Sequence, residues 1–161
     1  MWGAALATLA VDQASKVWAL AALKDGRSHE ILGGVLTLRL LRNSGAAFSL
    51  GSGRTWLMTL VAVVIVVAVL RTVAGVRSRP WAVLLGLVLG GALGNLADRF
   101  FRQPGPGRGD VVDFIDYGGL FVGNVADIAI VLAAIGIAWL ALRGIPLGEP
   151  PSTGRHGQRP T

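Results

Sequence analysis

The chain has 161 residues, of which 53% are apolar and 15% charged, with a mean hydropathy of +0.61. An ordinary soluble domain carries about 25% charged residues, so these values, with the apolar residues clustered in runs, indicate an integral membrane protein. The absence of cysteine excludes disulfides, thiolate metal sites and a cysteine nucleophile; His29 and His156 have no neighbouring metal-ligand partner; and the net charge of +6 sits at the ends of apolar segments, not in a nucleic-acid-binding stripe.

The predicted architecture is an all-α membrane bundle of four transmembrane helices with a small extracytoplasmic β-cradle. A spanning helix needs about 20 residues. The first span, about 2–23, is interrupted by Asp12 and Lys16. It lacks a basic leader and is therefore not read as a cleavable signal peptide. Four residues apart, Asp12 and Lys16 share a helix face and neutralise each other as a structural pair.

Leu36, Leu38 and Leu40 then alternate with Thr37 and Arg39, between the turn signals Gly33-Gly34 and Asn43-Ser44-Gly45. That period predicts a β element lying on one membrane face. The second span, about 55–71, holds an uncharged run from Thr55 to Leu70. The third, about 80–98, carries Gly86, Gly90 and Gly94 at intervals of four, with Gly91 beside them. Such a small-residue face lets another helix approach closely.

Gln103–Gly109 is a Gly/Pro-rich loop that returns the chain toward the fourth span, about 124–143. Asp110 and Asp116 are expected to be solvated in that connection. Residues 1–143 form the expected membrane domain, and 144–161 a disordered tail. Four spans put both termini on one side, but the arginines do not choose which. Eight basic residues lie on the β-element side, and six on the other, including Arg71, Arg77 and Arg79 in one short turn.

The polar residues near the spans are Asp12, Lys16, Asn43, Asn95, Asp98, Arg99, Asp113, Asn124 and Asp127. A carboxylate at a membrane span is costly and marks a functional site. Asp98 precedes Arg99, a natural ion-pair partner or interfacial anchor, and reads as a brace. Asp113 lies between Val112 and Phe114, and Asp127 heads an apolar helix, so these two form the candidate catalytic pair. Asn95 stands three residues before Asp98, and Asn124 three before Asp127. At that spacing each amide faces its carboxylate. Two carboxylates within about 3 Å cannot both ionise. One would then take a proton from attacking water while the other polarises the carbonyl and later protonates the leaving amine. That chemistry requires no metal or cofactor.

Five runs resemble bacterial lipoprotein signal peptidases, the signal peptidase II family. They are Asp12–Lys16, Asn43–Ser49, Gly90–Arg99, Val111–Ile115 and Asn124–Asp127, in family order over about three-quarters of the chain. The resemblance implies an intramembrane aspartic endopeptidase in the bacterial cytoplasmic (inner) membrane. It cleaves diacylglyceryl-modified prolipoproteins before the lipidated lipobox cysteine. It implies catalytic Asp113 and Asp127, with Asn43, Asn95, Asp98, Arg99 and Asn124 in support. Both termini are then cytoplasmic, the site lies near the outer face, and the peptide antibiotic globomycin inhibits. The expected partners are these substrates, membrane lipids and globomycin-type inhibitors, with no nucleic acid, and the expected assembly is a monomer. The loop between Arg99 and Asp113 is longer than is common in the family and the stretch Ile115–Gly123 shorter.

Rival readings are fewer in their support. A proton-coupled transporter or channel would suit the intramembrane carboxylates, but the chain has no repeated halves. A serine peptidase is disfavoured because Ser15 and Lys16 project about 100° apart on a helix. A non-enzymatic scaffold leaves the carboxylates unexplained.

Overall fold

The structure is a computed structural model and describes residues 1–45 and 55–148. Its elements in chain order are α1 (Trp2–Ala22), β1 (His29–Glu30), β2 (Thr37–Asn43), α2 (Thr55–Thr72), α3 (Arg79–Phe101), β3 (Val111–Asp116), β4 (Val122–Gly123) and α4 (Val125–Leu142). A 3₁₀ turn, Val73–Gly75, extends α2. Residues 46–49 of the motif beginning at Asn43, Arg54, and the tail beyond 148 with His156 lie outside the described residues.

Three of the helical segments, Thr55–Gly75, Arg79–Phe101 and Val125–Leu142, are long and apolar enough to cross a membrane. Together with the sheet they define an integral membrane protein built mostly of helix. Their outward faces carry Val61, Val64 and Leu70 on α2 and Val131, Leu132, Ile135 and Trp139 on α4, all exposed. An apolar face of this extent suits hydrocarbon rather than water. Pro80 near the start of α3 fits the first helical turn, where its missing N–H costs no bond.

The helix α3 is central and packs against α1, α2 and α4. Its glycines explain how. A Cβ on Gly86 would lie 2.5 Å from the Met1 carbonyl oxygen, and one on Gly90 would strike the Ala5 carbonyl. A Cβ on Gly91 would lie 2.9 Å from the Ala126 carbonyl of α4. The expected small-residue face thus serves two neighbours, α1 along one row and α4 beside it.

The four strands form one antiparallel sheet in the order β1-β2-β3-β4. It stands at the end of the bundle where α1 and α3 finish and α2 and α4 begin. Leu38 and Leu40 of β2 pack with Ala19, Leu23, Val112 and Phe114. The alternation around residue 38 therefore marks a real strand. The second partner, β3, gives no such signal, because four consecutive residues from Val111 to Phe114 are buried. A strand covered on both faces loses the two-residue period.

Two expectations are corrected here. Asp116 is not solvated in a loop: it closes β3, is 7% exposed, and is ion-paired with Arg39 of β2. Its second oxygen accepts from the Gly119 N–H at 2.8 Å. Those two donors, the backbone N–H first, hold its carboxyl below the usual range. The second concerns residues 145–148. The backbone N–H groups of Arg77 and Ser78 both donate to the Leu147 carbonyl, and Trp81 Nε1 donates to the Ile145 carbonyl at 2.9 Å. The start of the expected tail thus caps the turn between α2 and α3.

Candidate active site

Asp127 is held by the geometry of a helix start. Asn124 is the N-cap of α4: its Oδ1 accepts from the Asp127 N–H at 3.1 Å. In return Asp127 Oδ2 accepts from the Asn124 N–H at 3.0 Å. This reciprocal capping box satisfies two otherwise unpaired donors. It also places the carboxylate at the positive end of the helix dipole. The other oxygen, Oδ1, accepts from Asn95 Nδ2 of α3 at 3.1 Å.

Asp113 reaches the same place from the sheet. It is 1% exposed, in the middle of β3. Asn43, at the end of β2, donates to Oδ2 at 2.8 Å, and Asn124 Nδ2 donates to Oδ1 at 2.6 Å. Burial pushes the Asp113 carboxyl up to about 6, the Asn43 amide works against this, and the neighbouring Asp127 charge adds to it. Asn124 therefore touches both carboxylates, Asp127 with its backbone and Asp113 with its side chain.

Both aspartates line one cavity of about 220 Å³. Its walls include Asn43, Asn95 and Arg99, with Met58, Val61 and Ile65 of α2 opposite. A second cavity of about 250 Å³ lies on the other side of Asp127, between the stacked rings of Tyr117 and Phe121 and the α4 residues Ile128, Val131 and Leu132. Asp127 thus separates two largely apolar spaces.

The remaining polar residues divide into two groups. Lys16, fully buried, binds Asp12 at 2.8 Å, Asp98 at 3.0 Å and Asn95 Oδ1 at 2.9 Å. Asp12 also accepts from the Ala126 N–H in the first turn of α4 at 3.0 Å. It ties α1 to the helix that carries Asp127. Asp98 accepts from Arg102 at 2.6 Å and from the Val112 N–H at 3.1 Å, beside Asp113.

Of the two readings of Arg99, the ion pair with Asp98 is not formed. Consecutive helical residues project about 100° apart, so Asp98 turns toward Lys16 and Arg99 away from it. Arg99 Nη1 instead donates to the Asn43 carbonyl at 3.1 Å and the Gly109 carbonyl at 2.8 Å. One guanidinium thereby fastens the end of β2 to the approach of β3, the two segments that carry Asn43 and Asp113.

Three contributors escaped the sequence reading. Gln13 donates to the Gly94 carbonyl at 3.0 Å and contacts Asp12 and Asp98. Arg102 pairs with Asp98 four residues earlier, a spacing visible in the sequence. Gly123 stands where a Cβ would lie 3.0 Å from Asp127 Oδ2. No group of metal-ligating side chains is found among the described residues.

Comparison with known proteins shows the family. The family model described as Signal peptidase (SPase) II matches residues 4–143. A lipoprotein signal peptidase of Rhodococcus jostii (strain RHA1) is 52% identical over 145 residues, covering 90% of this chain and 72% of the relative. One from Mycobacterium avium (strain 104) is 48% identical over 140 residues, covering 87% and 77%. Two solved bacterial membrane enzymes, determined by the in meso method at 2.3 and 1.9 Å resolution, superpose with TM-scores of 0.74 and 0.75 at 26% and 27% identity. The first covers 98% of this chain and 92% of that enzyme; the second covers 87% and 90%. The match runs through all four helices and both halves of the sheet, and the chain belongs to the signal peptidase II family.

Proposed function

We propose that this protein removes the signal peptide from prolipoproteins as a membrane-embedded aspartic endopeptidase, with Asp113 and Asp127 as its catalytic dyad. The observation that carries the assignment is the convergence of both carboxylates on one cavity, bridged by Asn124. Family membership supports the peptidase reading over the transporter alternative.

The chemistry follows from the donors. Each carboxylate already accepts two N–H bonds, Asp113 from Asn43 and Asn124, and Asp127 from Asn95 and the Asn124 backbone. These donors fix the orientation of all four oxygens and leave further lone pairs for substrate and water. Burial favours the protonated form of Asp113 up to about pH 6, which supports a dyad that shares one proton. The ionised carboxylate takes a proton from water as that water attacks the scissile carbonyl. The protonated carboxyl donates to the carbonyl oxygen, and the proton taken from water passes to the leaving amine. Asn43, Asn95, Asp98, Arg99 and Asn124 hold the pair in position.

The substrate is a prolipoprotein whose lipobox cysteine carries diacylglycerol, cut on the N-terminal side of that cysteine. The apolar walls on either side of Asp127 suit a substrate with an apolar peptide segment and hydrocarbon chains. Helix α1 is the fourth span. Its 21 residues reach about 32 Å, enough for the hydrocarbon core. Asp12 and Lys16 are fully buried against each other, so neither meets lipid. Residues 1–143 form the peptidase domain of an inner-membrane monomer with cytoplasmic termini. The sheet and dyad then lie near the outer face, where globomycin-type inhibitors occupy the dyad.

Mass spectrometry of the products from purified protein and a diacylglyceryl-modified prolipoprotein tests this reading. The expected product begins at the lipidated cysteine, and the unlipidated precursor stays intact. Cleavage elsewhere, or of both precursors alike, would refute the substrate assignment.

A further inference from the structure

Lys16 does not touch either member of the dyad, yet its ammonium is the strongest fixed donor to Asn95. The orientation of that amide is decided by its neighbours. Asn124 Oδ1 is committed to the N-cap bond, so its Nδ2 faces the dyad and donates to Asp113 at 2.6 Å and to Asn95 Oδ1 at 3.2 Å. Lys16 Nζ donates to the same Asn95 oxygen at 2.9 Å. With two donors on its oxygen, Asn95 presents its N–H to Asp127 Oδ1. The reverse orientation would set a carbonyl against the carboxylate and N–H groups against an ammonium. Of the two donors, the charged and shorter one comes from Lys16, and such bonds are the stronger kind.

We infer that Lys16 is a positioning residue for the reaction: it fixes the Asn95 amide so that its N–H, not its oxygen, faces Asp127. The inference rests on the dyad assigned above. Lys16 is held in place from every side that packs against it. Asp12 faces it from its own helix and Asp98 from α3, with Arg102 beyond Asp98. Gln13 touches both of those carboxylates. By hydrogen bonds Lys16 reaches Asp127 of α4 through Asn95, and Asp113 of β3 through Asn95 and Asn124, while its charge also acts on Asp113 through space. Two cations and two carboxylates make this cluster neutral, so a change at Lys16 alone leaves a buried carboxylate unpaired.

The test therefore uses Asp12→Asn as the reference, in full-length protein in detergent or liposomes, with a diacylglyceryl-modified prolipoprotein as substrate. Relative to that reference, Asp12→Asn/Lys16→Met is expected to lower kcat about tenfold or more with KM within about twofold. The acid-side limb of log kcat against pH moves up by about one unit, because the Asn95 N–H no longer steadies the Asp127 carboxylate. Asn95→Leu gives the same change in the limb. In the Asn95→Leu background, adding Lys16→Met costs less than about twofold, since the interaction it served is gone. Lys16→Gln, which supplies an N–H donor without charge, restores kcat to within about threefold of the reference.

Losses that multiply, or a fall in unfolding temperature with the pH limb unmoved, would make Lys16 merely structural and overturn the inference. If Asp12→Asn/Lys16→Met is not recovered folded, the Lys16→Gln variant decides. Retained kcat in Lys16→Gln with about a tenfold loss in Lys16→Ala, each beside Asp12→Asn, supports the inference, and equal kcat in the two overturns it. Asp127→Asn in the same assay separates the two failures. Turnover by that variant would remove the dyad itself. Its inactivity alongside multiplying Lys16 and Asn95 losses would remove only the role of Lys16.

Discussion

The side-chain nitrogen of Asn124 lies 2.6 Å from Asp113 Oδ1, while its side-chain oxygen caps the helix that begins with Val125. One amide thus fixes a helix start and a carboxylate on a separate sheet strand. Its two functions are separable. Asn124→Ser keeps a capping oxygen but has no amide to reach Asp113. Asn124→Ala loses both. Asn124→Ser is expected to retain the unfolding temperature of the parent and lose activity about tenfold or more. Asn124→Ala is expected to lose activity as much and also about 1 kcal/mol of stability. Activity assays beside thermal unfolding in detergent check both.

The buried Asp113 gives stability a pH dependence of defined sign. Its folded-state value, about 6, lies above the ordinary value of 3.8. The contribution therefore favours the fold below pH 3.8 and is lost as pH rises through about 6. Its size is at most about 3 kcal/mol, on the scale of 1.36 kcal/mol per pK unit. Asp113→Asn removes this titration. Asn43 and Asn124 both donate to the position, so the substitution also carries a constant cost. The stability difference between parent and Asp113→Asn is expected to shift toward the variant as pH rises from 4 to 7. Unfolding series across that range measure it, and a difference independent of pH would contradict the burial argument.

Much of this fold was legible in the sequence, for physical reasons that differ by element. The uncharged runs of α2, α3 and α4 announced their helices to within a few residues, because lipid-facing helices need no polar face. Leu38 and Leu40 announced β2, since one face of that strand meets the core and the other does not. The partner strand β3 was hidden by burial on both faces, and β1 and β4 are two residues each. Asp116 looked solvated because its partner, Arg39, is 77 positions away. Asp98 and Arg99 looked paired because adjacency in sequence is not adjacency on a helix. The two central carboxylates were visible as charges among apolar neighbours, but the amides that hold them, Asn43, Asn95 and Asn124, come from three separate elements.

The glycine row of α3 makes a graded prediction. Gly90→Ala would set a methyl group against the Ala5 backbone, which cannot yield without moving α1. The expected cost is about 1–3 kcal/mol despite the gain in helix propensity. The atoms nearest a Cβ at Gly136 all belong to the Leu84 side chain, the first at 2.6 Å, and that side chain can change rotamer. Gly3 has open space around it. The expected order of unfolding temperatures is Gly3→Ala highest, Gly136→Ala intermediate and Gly90→Ala lowest.

Arg99 joins two backbone carbonyls and forms no carboxylate pair among the described residues. Arg99→Met is expected to release the end of β2 from the approach to β3, and so to loosen Asn43 against Asp113. Activity should fall about tenfold or more, with greater hydrogen exchange at Val111–Asp113. Unchanged exchange in this strand would mean that Arg99 acts elsewhere.

Asp113 and Asp127 are expected to act only as a pair. The most direct measurement is single-turnover cleavage of a diacylglyceryl-modified prolipoprotein by the parent, Asp113→Asn and Asp127→Asn, each recovered folded from membranes. The expected result is cleavage by the parent and a loss of at least about a thousandfold in either variant. Comparable cleavage by either folded variant would contradict the dyad.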